Sequence, residues 1–284
     1  MRYRDRKGNE YNGENGQDRL LAFVYGHAVT RLLIRPLLSP IVSHIGRISK
    51  LGIRPFVKSN GIDLSIYEKQ EFASYNEFFT RKIRAAERPA DMRENVLISP
   101  SDGKVSVYPI EENGIFRIKH TPYTVRQLLR DDKLADRYMG GWIYVIRLTV
   151  DDYHRYCYVS DGYRSSERRI EGVLHTVNPV ANDCYPIYKM NTREYCLLKT
   201  RKLGTVLTME VGALMVGKIC NYVKQPCDVH RGEEKGRFEF GGSTIIVMTE
   251  PGKVIPDQNL RTNTREHAET LVKMGEHIGA QIEQ

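Results

Sequence analysis

The spacing of hydrophobic and polar positions changes twice along this chain. Residues 1–17 are polar and glycine-rich, and a small hairpin turning at Lys7-Gly8-Asn9 is expected there. From Asp18 to Leu51, apolar residues such as Leu20, Phe23, Val29, Leu33, Leu37 and Ile41 are interleaved with Arg19, Arg31, Arg35, Arg47 and Lys50, and no acidic residue follows Asp18. Pro36 and Pro40 break this stretch into two or three short helices. A basic segment with an apolar face can lie in a membrane interface, or pack on the protein's own core as a helical hairpin.

Beyond Leu51 the pattern shortens to capping signals and period-two runs. Ser74-Tyr75-Asn76-Glu77 is a capping box that predicts a short helix with Phe78 and Phe79 on its apolar side. Ile98 to Val105 reads as strand, tight turn, strand, with Asp102-Gly103 in the turn. Thr124-Val125-Arg126-Gln127 is a second capping box, and its helix is expected to run to Gly140-Gly141. Trp142 to Val150 predicts a strong strand that delivers Asp151-Asp152-Tyr153-His154 at its end. Glycine-punctuated runs from Asp161 to Met248 predict a mostly antiparallel core, with one strand at Leu203–Met209 and another around Val211–Ile219. Phe238 and Phe240 alternate with polar neighbours, Gly241 and Gly242 interrupt, and Ile245-Ile246-Val247-Met248 resumes the sheet. Thr249–Arg265 reads as a loop, and Glu269–Gly279 as a final strand and turn.

Composition narrows the class. At 284 residues, the chain holds one large domain or a core domain with an appendage. Its net charge of +8 favours an anionic partner, while the recognisable nucleic-acid motifs are missing, so nucleic acid is not expected. Five cysteines without a C-x-x-C pair argue against a disulfide framework and a zinc site, and for a reducing compartment. The polar start is unlike a signal peptide, and no run approaches the ~20 apolar residues of a membrane span. No phosphate-binding glycine loop and no nucleophile elbow occurs.

The candidate chemistry sits in two places. Gly242 leaves its carbonyl unshielded beside the hydroxyl of Ser243, which is the arrangement for an N-to-O acyl shift; a bulged hairpin entry explains the same local string. His154 stands at a strand end among Tyr153, Arg155, Asp151 and Asp152, company that suits a proton carrier. The other seven histidines have no recognisable partner spacing.

These residues also carry a resemblance. Phe78-Phe79-Thr80-Arg81 with Arg88-Pro89, Ser99-Pro100-Ser101-Asp102-Gly103-Lys104, Asp152-Tyr153-His154-Arg155, Thr176-Val177-Asn178-Pro179, Asn191-Thr192-Arg193, Val211-Gly212-Ala213 with Val216-Gly217, and Phe238-Glu239-Phe240-Gly241-Gly242-Ser243-Thr244 occur in the order found in phosphatidylserine decarboxylase proenzymes. Across roughly residues 75–280 the chain resembles that pyruvoyl-dependent family. The resemblance implies self-cleavage between Gly242 and Ser243, giving a large and a small chain with a pyruvoyl group made from Ser243 and no metal. That ketone would form a Schiff base with the serine amine of phosphatidylserine and act as the electron sink for the departing carboxylate. Asp102 matches the residue that orients the base, and His154 is the choice for protonating the product carbanion. Thr176 and Asn178 match a loop that could bind the lipid headgroup, though an Asn-Pro turn accounts for them equally. Arg155 and Arg193 have the chemistry for pairing with phosphate or carboxylate, as surface arginines generally do.

This sequence departs from the family pattern at two positions. Cys157 stands where the family carries a second histidine, the usual base for self-cleavage. Either His154 takes both tasks, or Cys157 works as a thiolate, or processing is slow or lost; the first is favoured. Gly241 stands where leucine is common, which keeps the scissile pair intact.

The expectation is an α+β protein with a polar arm (1–17), an N-terminal helical membrane-contacting module (18–90) and a mostly antiparallel β-rich catalytic domain (91–284). It would act on phosphatidylserine, peripherally bound to an anionic membrane at the cytoplasmic face of the cell membrane, and a homodimer is left open. A pyruvoyl decarboxylase of a soluble amino acid and a processing-defective lipid-binding homologue are the alternatives.

Overall fold

The strand Ser243–Thr249 lies in the middle of the largest sheet, paired antiparallel to Thr205–Val211 on one side and Trp142–Leu148 on the other. All seven of its residues are buried, which requires cover on both faces of the sheet. Alternation divides it: Ile245 and Val247 enter one apolar cluster, and Ile246 and Met248 enter another. The first face is covered by two three-stranded sheets. One is Ile219–Asn221, Glu234–Phe238 and Arg155–Cys157; the other is Val254–Pro256, His277–Gln281 and Val96–Ile98. The second face is covered by the hairpin Ile115–Ile118/Thr121–Thr124 and the helices Val125–Leu129 and Asp132–Asp136.

The computed structural model describes residues 2–12, 50, 52–118, 121–172, 187–212, 219–239 and 243–282. The basic apolar stretch of residues 18–49, expected as membrane-contacting helices, lies outside the described residues, as do Thr176, Asn178, Gly241 and Gly242. Among the described residues no helix is long and apolar enough to cross a membrane.

Among the described residues the main sheet has eleven strands, and every pair in it is antiparallel except Arg2–Arg4 with Glu269–Val272. The polar start of the chain is thus part of the sheet. Its hairpin turns at the expected place, with the Asp5 carboxylate accepting from the N–H groups of Lys7 and Asn9 at 2.9 Å each. Ser74 caps the helix Tyr75–Phe79 as its capping box predicts, and Phe78 packs edge-on against Phe56, Phe72 and Tyr75.

Two expectations need correction. The helix opened by Thr124 ends at Leu129, because Arg130 turns left-handed (φ 50°) and Asp131 caps a second helix by accepting from the Leu134 N–H. Residues 249–265 are not a loop: they contain the strand Val254–Pro256 and the helix Gln258–Arg265. Of the strand expected around 211–219, residues 213–218 lie outside the described residues; a strand ends at Val211 and another begins at Ile219.

One buried ionic group ties the small sheet to the main one. The Lys235 ammonium donates to both oxygens of Glu210 at 2.6 and 2.7 Å, and Asn221 donates to Glu210 and to Glu194. Nearby, Glu167 takes Arg164 at 2.6 Å, and Glu194 takes Arg169 at 2.8 Å. Removing one member strands an uncompensated charge in a dry interior. Lys235→Met is therefore expected to lower unfolding stability in urea by about 3–5 kcal/mol, and adding Glu210→Gln should restore most of it.

Candidate active site

Ser243 opens the central strand directly opposite Leu148. It shares the face of Ile245 and Val247, so its hydroxyl points to the first apolar cluster. The side chain is fully buried, and its Oγ has no hydrogen-bond partner among the described residues. Buried hydroxyls are ordinarily satisfied, because an orphan one costs about 1–3 kcal/mol.

His154 reaches the same cluster from the turn after Trp142–Leu148. Its ring lies against Phe79, with centroids 3.8 Å apart, and Phe79 belongs to that cluster. The turn is closed by Asp152, whose Oδ2 accepts from the Thr149 N–H at 2.6 Å and from Lys104 Nζ at 3.0 Å. The His154 carbonyl accepts from the Phe238 N–H at 2.9 Å, tying the histidine to the strand that leads into residues 239–243.

The ring's protonation pattern follows from its partner. His154 Nδ1 lies 2.9 Å from the Asp152 carbonyl oxygen, which can only accept, so Nδ1 carries the proton. Nε2 is then a bare lone pair, buried and unpartnered among the described residues. Burial pushes the imidazole's pKa down to about 3, Arg81 and Lys104 add to the shift, and the Asp152 carbonyl and Asp151 oppose it. At neutral pH the side chain is an uncharged proton acceptor.

Asp102 and Cys157 form a neighbouring group. Both Asp102 oxygens are taken by Arg88, at 2.8 Å from Nε and 2.6 Å from Nη2, and Oδ1 also accepts from the Met274 N–H at 2.9 Å. The structure records no hydrogen bond from Asp102 to His154; the group that orients His154 is the Asp152 carbonyl. Cys157 packs under the turn Ser99–Asp102, with its N–H on the Pro100 carbonyl at 2.9 Å and its Sγ 3.9 Å from the Ser99 carbonyl oxygen. Burial pushes its thiol up to about 12, and Asp102 adds to the shift. A thiol in that environment stays protonated and is a poor base. Cys157→Ala is expected to leave self-cleavage and turnover unchanged, with iodoacetamide failing to label the native thiol; loss of cleavage in that variant would restore Cys157 to the chemistry.

The two candidate arginines are occupied. Arg155 donates to the Thr80 carbonyl at 3.0 Å and pairs with Glu234 at 2.7 Å. Arg193 is buried and donates to the carbonyls of Leu128, Lys189, Asn191 and Gln127, so it stitches loops together. Sequence reasoning gave no role to Arg88 or Lys104, and named Asp152 only as a neighbour of His154. All three stand inside the motifs shared with the family, which is the signal that could have found Arg88 and Lys104.

A family model described as phosphatidylserine decarboxylase matches residues 75–280. The chain belongs to the phosphatidylserine decarboxylase family. It is 42% identical to phosphatidylserine decarboxylase proenzyme 2 of Clostridium acetobutylicum over 273 residues, covering 94% of this chain and 92% of that protein. Similarity extends to phosphatidylserine decarboxylase proenzymes of Fusobacterium nucleatum (39% over 235 residues, 81% of this chain and 78% of that one) and Clostridium botulinum (37% over 234 residues, 81% and 79%). The segment matched to the family contains Asp102, His154, Cys157 and Ser243.

Proposed function

We propose that this chain cleaves itself between Gly242 and Ser243, and that the mature protein converts phosphatidylserine to phosphatidylethanolamine and carbon dioxide. The observation that carries the reading is the Ser243 hydroxyl: buried, unpartnered among the described residues, at the head of the central strand and one residue past Gly242. Family membership supports it independently.

In the cleavage step, Ser243 Oγ attacks the Gly242 carbonyl carbon. The hydroxyl proton passes through a base to the departing Ser243 nitrogen as the C–N bond breaks, so the acyl group moves from nitrogen to oxygen and a free amine is left. His154 Nε2, uncharged and with a free lone pair, is the acceptor proposed for that proton. Loss of the Ser243 α-proton expels the Gly242 carboxylate and leaves dehydroalanine. Addition of water and loss of ammonia then give the pyruvoyl end of a small chain, residues 243–284.

The site fits such a group, because the Ser243 side chain is buried on the face of the first apolar cluster and, among the described residues, no polar atom claims its hydroxyl. Once formed, the pyruvoyl group supplies an electron sink for the bond to the departing carboxylate. The Nε2 lone pair of His154 would take a proton from the substrate's ammonium group and return it to the carbon that has lost carbon dioxide. Thr176 and Asn178 remain the candidates for headgroup contact. Peripheral binding at the cytoplasmic face of the membrane is part of the proposal, supported by the net charge of +8 and the basic apolar residues 18–51.

Incubating the purified protein with phosphatidylserine vesicles should release carbon dioxide, and a denaturing gel should show a fragment of about 40 residues beside the large chain. Fully cleaved protein that releases none would overturn the reading.

A further inference from the structure

We propose that Arg81 is the positioning residue that fixes the tautomer and placement of His154, linking the helical segment ahead of the sheets to the reacting end of the central strand. This rests on the reading of His154 as the proton carrier. Arg81 follows the helix Tyr75–Phe79 and is only 2% exposed, yet among the described residues no carboxylate pairs with it. A buried guanidinium with no counter-ion is costly, so its remaining contacts have to hold it. They are backbone carbonyls and ring faces. Nη2 donates to the Asp151 carbonyl at 2.9 Å and the Asp152 carbonyl at 3.2 Å, and Nη1 donates to the Phe78 carbonyl at 3.3 Å. The guanidinium carbon sits 4.7 Å from the ring centres of both Tyr67 and Phe78.

The shared acceptor makes these contacts matter. The Asp152 carbonyl oxygen takes Arg81 Nη2–H and His154 Nδ1–H together, which uses both of its lone pairs. Arg81 can only donate, so it holds that oxygen toward the imidazole, and the proton stays on Nδ1 rather than Nε2. Two residues earlier, Phe79 lies against the imidazole ring. Phe79 thus sets the ring's plane and Arg81 sets its hydrogen bond, both from the three residues 79–81. The charged groups acting on the ring are Arg81 and Lys104 against it becoming a cation, and Asp151 in favour. Arg81 therefore also keeps the imidazole uncharged.

The test uses the mature full-length protein with isotopically labelled histidine, His154 being assigned by its loss in His154→Gln. In Arg81→Met, the ring-nitrogen shifts should report a population with the proton on Nε2, the His154 titration midpoint should move upward, and kcat should fall about 100-fold with KM little changed. Arg81→Lys keeps the charge and loses the fork. Its midpoint should stay low while the tautomer mixes and kcat falls, and this variant decides the question should the methionine variant fail to fold. Unchanged His154 nitrogen shifts and midpoint in the folded variant would overturn the proposal. If the shifts change as expected but His154→Gln decarboxylates at the unmutated rate, Arg81 still positions the ring, and the proton-carrying role of His154 is what fails.

Discussion

Ser243→Ala is expected to leave the chain at its full 32.7 kDa and to abolish carbon dioxide release. On the proposed mechanism the substitution removes the attacking atom and the source of the ketone, so the loss should be complete rather than graded. What separates this outcome from misfolding is stability. The Ser243 hydroxyl satisfies no partner among the described residues, so deleting it removes an orphan polar atom from an apolar cluster. The alanine variant should unfold at the same temperature as the unprocessed parent or higher. A denaturing gel, a vesicle assay and a melting curve on one preparation decide the matter. A variant that melts normally and still releases carbon dioxide would remove Ser243 from the chemistry.

The second large effect is expected at His154. Positioned proton transfer contributes about 10²–10⁴-fold, so His154→Gln should lower decarboxylation by that factor and slow self-cleavage in parallel. Its pH behaviour is distinctive. The folded pKa of about 3 lies below the ordinary value of 6.5, so in acid the unfolded chain takes up a proton before the native one does. The stability this group contributes is complete above pH 6.5. It is lost as pH falls toward 3, at up to about 1.4 kcal/mol per pH unit. The parent protein should show a urea midpoint that drops between pH 6.5 and 4, and His154→Gln should show a flatter profile. The rate of self-cleavage should carry no ionisation from His154 between pH 5 and 7, because the imidazole is neutral throughout that range. A limb near pH 6 that vanishes in His154→Gln would mean the ring is more solvated than the structure has it.

Much of the fold could be read from the sequence because its signals are local. Ser74 and Thr124 cap helices as their spacing predicts, and the alternating, β-branched runs at 142–148 and 243–249 are strands. The helix Gln258–Arg265 escaped because it shows almost no apolar pattern: only Leu260 and the polar Asn263 are buried. The break at Arg130 escaped because no glycine marks it. At the site, the glycine pair made Ser243 conspicuous. The orientation of His154 was invisible, since it depends on a backbone carbonyl that has no side-chain signature. The neutrality of Cys157 was invisible too, because burial, not neighbours in sequence, sets its proton affinity.

The placement of the central strand has a consequence for the cut chain. Residues after 242 supply Ser243–Thr249 between two neighbours, Glu269–Val272 between Gly103–Pro109 and Arg2–Arg4, and His277–Gln281 beside Val96–Ile98. Severing the backbone ahead of Ser243 therefore releases nothing. The short piece is woven through three places in its larger sibling and can come away only when both sheets dissolve, so dissociation and denaturation become a single event.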